Sequence, residues 1–106
     1  NPFEIWGDGT QVRDFIHMHD VVDAVDSAIQ QDIQGPVNLG NGRPTSFNEL
    51  AQLVSAEVGY TPEINHILGA PKGVDYRCSD NSKMLSFYTP KITLEEGISR
   101  ALKGII

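Results

Sequence analysis

Four clusters of residues combine side-chain types and spacings that could do chemistry. In Trp6-Gly7-Asp8-Gly9-Thr10-Gln11-Val12-Arg13, an aromatic plane and a forked cation flank a glycine-rich turn. Glycine lets a backbone approach a ligand closely. Arginine keeps its charge and can bind two oxygens at once, which suits a pyrophosphate. On the two arms of a hairpin, Trp6 and Arg13 would reach one nucleotide. The same residues would equally make a plain hairpin with a core Trp and an Arg13–Asp14 surface, because a G-x-G turn is a weak signal. In His17-Met18-His19-Asp20, two imidazoles on one strand point to the same face. With a carboxylate they could begin a zinc or iron site, as in a metal-dependent hydrolase. His66 stands alone, however, and no further His or Asp cluster follows at useful spacing. Lys72 and Tyr76-Arg77 offer further cations that would complete an anion site with Arg13, or else pair in solvent with Asp75 and Asp80. Cys78 is the single cysteine and has only Arg77 beside it, whereas a thiolate nucleophile needs a base or cation facing it. No P-loop, Ser-centred elbow or G-x-G-x-x-G stretch is present.

The elements that must position these side chains follow from periodicity. Phe3 to Trp6 and Gln11 to Met18 read as strands joined through the Gly-Asp-Gly turn. Asp20 is expected to cap a helix to about Gln31, with Val21, Val22, Val25, Ala28 and Ile29 on its apolar face. Pro36 to Leu39 reads as a short strand, followed by a Gly40-Asn41-Gly42 loop. Ser46-Phe47-Asn48-Glu49 is a capping box opening a helix to about Val58, with Leu50, Leu53, Val54 and Val58 inward and Gly59 as its stop. Glu63 to Leu68 is a further strand, and Tyr76 to Cys78 a short extended piece. Asp80 or Ser82 would cap a brief turn through Leu85. Thr93-Leu94-Glu95-Glu96 starts a last helix with Leu94, Ile98, Ala101, Leu102 and Ile105 on one side. The expectation is an α/β chain (α+β if taken alone) with three main helices and about four short strands.

Composition bounds the function classes. The chain has 106 residues, which allows one small domain, and 40% apolar residues, which fits a folded globular chain. A net charge of −6 argues against non-specific nucleic-acid binding, which needs a basic footprint. No apolar run is long enough to span a bilayer, and the one cysteine fits a reducing compartment, so a cytoplasmic location is expected. The N-terminus, Asn1-Pro2-Phe3-Glu4, runs straight into a strand pattern, as though cut from something longer.

Six motifs in order then resemble one family. Trp6-Gly7-Asp8-Gly9-Thr10-Gln11-Val12-Arg13-Asp14-Phe15-Ile16-His17 with His19-Asp20-Val21-Val22-Asp23-Ala24 is similar to the NAD(P)-dependent epimerases/dehydratases, the extended short-chain dehydrogenases that act on nucleotide sugars. Val37-Asn38-Leu39-Gly40-Asn41-Gly42, Ser46 to Ala51, Asp80-Asn81-Ser82-Lys83, and Phe87-Tyr88-Thr89-Pro90 through Glu95-Glu96-Gly97-Ile98 continue the likeness. Ala70 stands where many members have Arg, and Ser86 where they have Gly. The pattern looks most like the GDP-fucose synthase branch, which leans toward a GDP-sugar.

The resemblance implies that residues 1–106 are the C-terminal, substrate-binding portion of such an enzyme, without its dinucleotide-binding Rossmann domain or its catalytic Y-x-x-x-K pair. By that resemblance Trp6 and Arg13 lie against the nucleotide and its phosphates, Arg77 meets the same phosphates, and Lys72 is a further cation of the site. NAD or NADP would belong to the parent enzyme and not to this chain. The implied partners are the nucleotide sugar, the missing Rossmann domain, and a second copy joined through Gln11–Met18 and Glu63–Leu68. A stand-alone, non-catalytic binding module of the same descent is the alternative, and a hydrolase using His17 and His19 the second.

Overall fold

The computed structural model describes residues 2–104. In chain order the elements are β1 (Phe3–Trp6), β2 (Val12–Arg13), α1 (Met18–Gln30), β3 (Thr45–Ser46), α2 (Phe47–Val58), β4 (Ile64–Ile67), α3 (Ser82–Leu85) and α4 (Leu94–Leu102). The expected mixture of helices and short strands is present. The chain is nevertheless divided between two compact units, where one small domain was expected. The first runs to Arg13 and again from Pro44 to Arg77; the second takes Asp14 to Arg43 and the chain from Cys78 onward.

In the first unit, β1 pairs in parallel with β4, Phe3 opposite Ile64 and Trp6 opposite Ile67. The hairpin expected between residues 3–6 and 11–18 therefore does not form. Only Val12–Arg13 of the second arm is a strand, and it pairs antiparallel with β3. Gln11 explains part of the change. Its buried side-chain amide donates to the Trp6 carbonyl at 2.9 Å, occupying an acceptor that a hairpin partner would have needed. Helix α2 starts where the capping box placed it: the Ser46 hydroxyl accepts from the Glu49 N–H at 3.1 Å. It ends at Gly59, whose φ of 71° is the left-handed cap only glycine adopts freely. Ala51 is its buried residue; Leu50, Leu53 and Val54 are half-buried and Val58 is exposed.

In the second unit, α1 begins at Met18 with His17 as N-cap, the imidazole Nδ1 accepting from the His19 N–H at 3.0 Å. Asp20 is not the cap. It lies inside the helix and is buried, and its carboxylate accepts from Tyr88 Oη at 2.5 Å, Lys91 N at 2.9 Å and Ile92 N at 3.0 Å. Those three donors turn the Asp20–Ala24 side of the helix inward. Ala24 packs with Met84 and Tyr88 in the core, while Val22, Val25 and Ile29 of the expected apolar face stay exposed. Val37 and Leu39 pack against this core, but residues 36–39 form no strand. A strand needs a partner ladder, and none of the described residues bonds the backbone of 37–39. Short α3 follows Asn81, which makes no side-chain cap, although the Asp80 carboxylate accepts from the Ser82 N–H at 3.1 Å. Helix α4 is capped by Thr93 as expected, with Leu94 buried. Ile105, expected on its apolar side, lies outside the described residues.

Candidate functional site

The four residues expected to meet a nucleotide, Trp6, Arg13, Lys72 and Arg77, all fall in the first unit. Their setting is built from the turn after β1. Asp8 makes a local turn, accepting from the Thr10 N–H at 3.0 Å and the Thr10 hydroxyl at 2.7 Å. The first turn of α2 clamps it: Asn48 N donates to the Gly9 carbonyl at 3.0 Å and Asn48 Nδ2 to the Asp8 carbonyl at 3.0 Å. Gly9 has φ +77°, and a Cβ there would sit 2.0 Å from Asn48 Oδ1. No other residue allows that closeness, so the glycine is required by the clamp and not by turn geometry alone.

Past the turn, β2 is paired on both sides. Besides β3 it meets Tyr76 in a parallel bridge, with Val12 N donating to Asp75 O and Arg77 N to Val12 O, both at 2.9 Å. Because Val12 is matched with Tyr76, Arg13 and Arg77 are the next residues on two adjacent segments. Two arginines 64 positions apart in the sequence thus occupy neighbouring register positions. The double pairing also means that Gln11–Met18 offers no open strand edge at Val12–Arg13, contrary to expectation. The outer edge of β4 does lack a partner among the described residues.

The four side chains differ in how far they are committed. Arg13 Nη1 donates to two carbonyls, Val12 O at 2.7 Å and Val74 O at 2.6 Å, and its guanidinium carbon lies 5.7 Å from the centre of the Phe47 ring. Its remaining N–H groups are uncommitted among the described residues. Arg77 is exposed and its guanidinium makes no bond to any described residue. Trp6, at the end of β1, is 56% exposed. Lys72 is not a free cation. Its ammonium contacts Asp8 at 2.9 Å, Asp75 at 3.1 Å and the Thr10 hydroxyl at 3.0 Å. Hydrogen bonding to Asp8 and then Asp75 raises its pKa, and the Lys72 bond, with help from Thr10, holds the Asp8 carboxyl well below the usual range. With two carboxylates on one ammonium, Lys72 staples the 72–75 loop to the turn.

The other candidates are absorbed by structure. His17 caps α1 and meets His19 edge-on at 5.0 Å between ring centres. Among the described residues no three His, Cys, Asp or Glu side chains gather as a metal site would require. Cys78 is half-buried, and burial followed by the Asp14 charge pushes its thiol up, away from a reactive thiolate.

Comparison with known proteins bears directly on this arrangement. Residues 1–40 match the model of the NAD dependent epimerase/dehydratase family. GDP-L-fucose synthase 1 of Arabidopsis thaliana is 33% identical over 99 residues, covering 91% of this chain and 30% of that protein. GDP-mannose 3,5-epimerase of the same plant is 38% identical over 98 residues, covering 91% of this chain and 26% of that protein. Among solved structures, UDP-glucose 4-epimerase from Thermotoga maritima superposes with a TM-score of 0.80 at 32% identity, over 96% of this chain and 34% of that one. The chain resembles the NAD-dependent epimerase/dehydratase family over nearly its whole length. It spans about a quarter to a third of the length of the relatives it matches.

Two parts of the candidate site are not visible in the sequence. Asn48 looked like the interior of a capping box, yet its amide holds the Asp8–Gly9 turn and its Oδ1 lies 2.8 Å from His66 Nε2. Phe47, in sequence simply part of the capping box, lies beneath Arg13. The one available signal is the polar Asn two residues after the cap, together with a turn that carries two glycines.

Proposed function

We propose that this chain is the C-terminal substrate-binding portion of a nucleotide-sugar epimerase, dehydratase or reductase, and that its first unit holds the nucleoside diphosphate. The observation that carries this reading is the Val12–Tyr76 bridge, which seats Arg13 beside Arg77. Two arginines at adjacent register positions match the two charges of a diphosphate, each guanidinium offering a fork of N–H donors to a pair of oxygens. Trp6 offers its exposed indole to the base or ribose. Lys72 serves as the staple that keeps the loop carrying Arg77 against the turn. A local cationic pair is needed for any such anion, because the chain as a whole carries −6.

The chemistry of the parent enzyme would be hydride transfer with NAD or NADP. The residues present do not fit that cofactor: the Gly7–Gly9 turn runs into β2 and not onto the start of a helix, where a dinucleotide pyrophosphate would bind. This chain would contribute orientation, fixing the diphosphate so that the sugar is presented in one pose. A guanosine nucleotide is the favoured ligand, since the GDP-sugar enzymes named above are 33% and 38% identical to it.

Titration of the chain with GDP and with UDP tests the reading. GDP is expected to bind saturably and more tightly than UDP. Arg77→Ala is expected to weaken GDP several-fold, and Trp6→Ala to weaken it with an unchanged salt dependence. Equal binding of GDP by wild type, Arg77→Ala and Trp6→Ala would remove both residues from the site.

A further inference from the structure

Gly73 sits in the left-handed region, φ +80°, on the loop that follows Lys72. A Cβ built there would lie 3.2 Å from Arg13 Nη2. That is the far side of the same guanidinium whose Nη1 is fixed by the Val12 and Val74 carbonyls and whose carbon lies over Phe47. Arg13 is thus bounded on three sides: by carbonyls at Nη1, by an aromatic face, and by the bare α-carbon of Gly73 at Nη2.

We infer that Gly73 is a positioning residue for Arg13, its missing side chain leaving the guanidinium room to keep the one orientation in which its Nε–Nη2 edge, bonded by no described residue, is available to an anion. This deepens the diphosphate-binding reading and rests on it. An anion bound bidentately tolerates little displacement of the fork, because both N–H vectors must keep their aim. A methyl group at 73 would require Nη2 to give way by a few tenths of an ångström. The carbonyls and the ring resist a translation, so the fork would rotate and lose one of its two bonds to the anion. Gly69 is a natural control on the same stretch of chain, with nothing within 4 Å of where its Cβ would stand.

The test is GDP affinity at low and high ionic strength for wild type, Arg13→Ala, Gly73→Ala, Gly69→Ala and the Arg13→Ala/Gly73→Ala pair. Gly73→Asn is added because Asn adopts positive φ far more readily than Ala, so it keeps the new Cβ while relieving backbone strain. Gly73→Ala and Gly73→Asn are expected to weaken GDP about three- to tenfold and to flatten its salt dependence toward that of Arg13→Ala; Gly69→Ala should match wild type. In the double variant the Gly73 substitution should cost nothing further, since the group it positions is gone. A backbone or stability role for Gly73 would instead multiply the two losses, and that result overturns the inference. So does wild-type affinity in both Gly73 variants while Arg13→Ala is impaired. If Arg13→Ala itself binds GDP as wild type does, the diphosphate reading fails, and that outcome is distinct from the other two.

Discussion

Replacing Asp20 by Asn changes one atom and removes one charge, and the structure sets how much that should cost. Oδ1 accepts from Tyr88 Oη at 2.5 Å and Lys91 N at 2.9 Å, and Oδ2 accepts from Ile92 N at 3.0 Å. An amide supplies only one acceptor oxygen. Kept at the Oδ1 position, it places its –NH2 against the Ile92 N–H, donor against donor, and Ile92 is buried. Reversed, it satisfies Ile92 but faces the Lys91 N–H. Either way one backbone donor is left unsatisfied, at about 1–3 kcal/mol, and the surviving bonds drop from charge-assisted to neutral, losing roughly 1 kcal/mol each. Relief from burying a charge offsets part of this. The net expectation is a loss of about 2–4 kcal/mol, a large share of the 5–15 kcal/mol typical of a folded domain. Tyr88→Phe removes a single bond and should cost less, about 1.5–3 kcal/mol. Urea unfolding followed by far-ultraviolet circular dichroism measures both. If Asp20→Asn unfolds within 0.5 kcal/mol of wild type (an order-of-magnitude threshold for surface changes), the carboxylate does not hold α1 to the Tyr88–Ile92 segment and the account of that unit is wrong.

The same carboxylate predicts an acid limit. Burial works to raise the Asp20 pKa, but the bonds from Lys91, Tyr88 and Ile92 outweigh it and leave the pKa below its ordinary 3.8. Its stabilisation is therefore complete above about pH 4 and disappears as pH falls through the lowered value, so melting temperature should drop in that range for wild type and stay flatter for Asp20→Asn. Tyr88 gives the alkaline counterpart: burial, then the bond to Asp20, raises its phenol above the usual 10.0, so its contribution holds below pH 10 and declines above it, which Tyr88→Phe should abolish in an alkaline melting series. The chain should also self-associate, through the unpaired edge of β4 with Leu68 75% exposed and through Val22, Val25 and Ile29; light scattering showing only an 11.6 kDa species at high concentration would refute this. Finally, the isolated chain should bind no NAD or NADP, and saturable micromolar binding in a calorimetric titration would overturn that expectation.

Local signals were read where local chemistry decides. The Ser46 and Thr93 caps, the Gly59 stop and the 64–67 strand all depend on a few adjacent residues, and each lies where its sequence pattern put it. Pairing was not legible, because it depends on residues far apart. Nothing near Phe3–Trp6 announces that its partner is Ile64–Ile67 in parallel, and the glycine turn beside it made a hairpin the simpler expectation. Residues 36–39 carry strand-forming side chains but find no ladder among the described residues. Asp20 misled for a related reason: an acidic residue at a helix start reads as a cap, and only the distant Tyr88, Lys91 and Ile92 make it a buried acceptor. Within the candidate site, family resemblance points to Trp6, Arg13, Arg77 and Lys72, but it gives no sign of the ion pairs made by Lys72. Its sequence neighbourhood shows a cation, while the two carboxylates that neutralise it are Asp75 nearby and Asp8 64 positions away.

The central claim, that Arg13 and Trp6 face one nucleoside diphosphate, has an unusually direct probe. Trp6 is the single tryptophan of the chain, so fluorescence excited at its absorption edge reports that residue and no other. GDP is titrated into wild type and Arg13→Ala at low and high salt. The account predicts a saturable change in Trp6 emission for wild type that weakens with salt. In Arg13→Ala the same change should require about ten- to a hundredfold more GDP, as expected for losing a charge-assisted contact of roughly 1.5–3 kcal/mol. Arg13→Lys should recover only part of the loss. No saturable response in wild type, or one that Arg13→Ala reproduces at the same concentration, would contradict it.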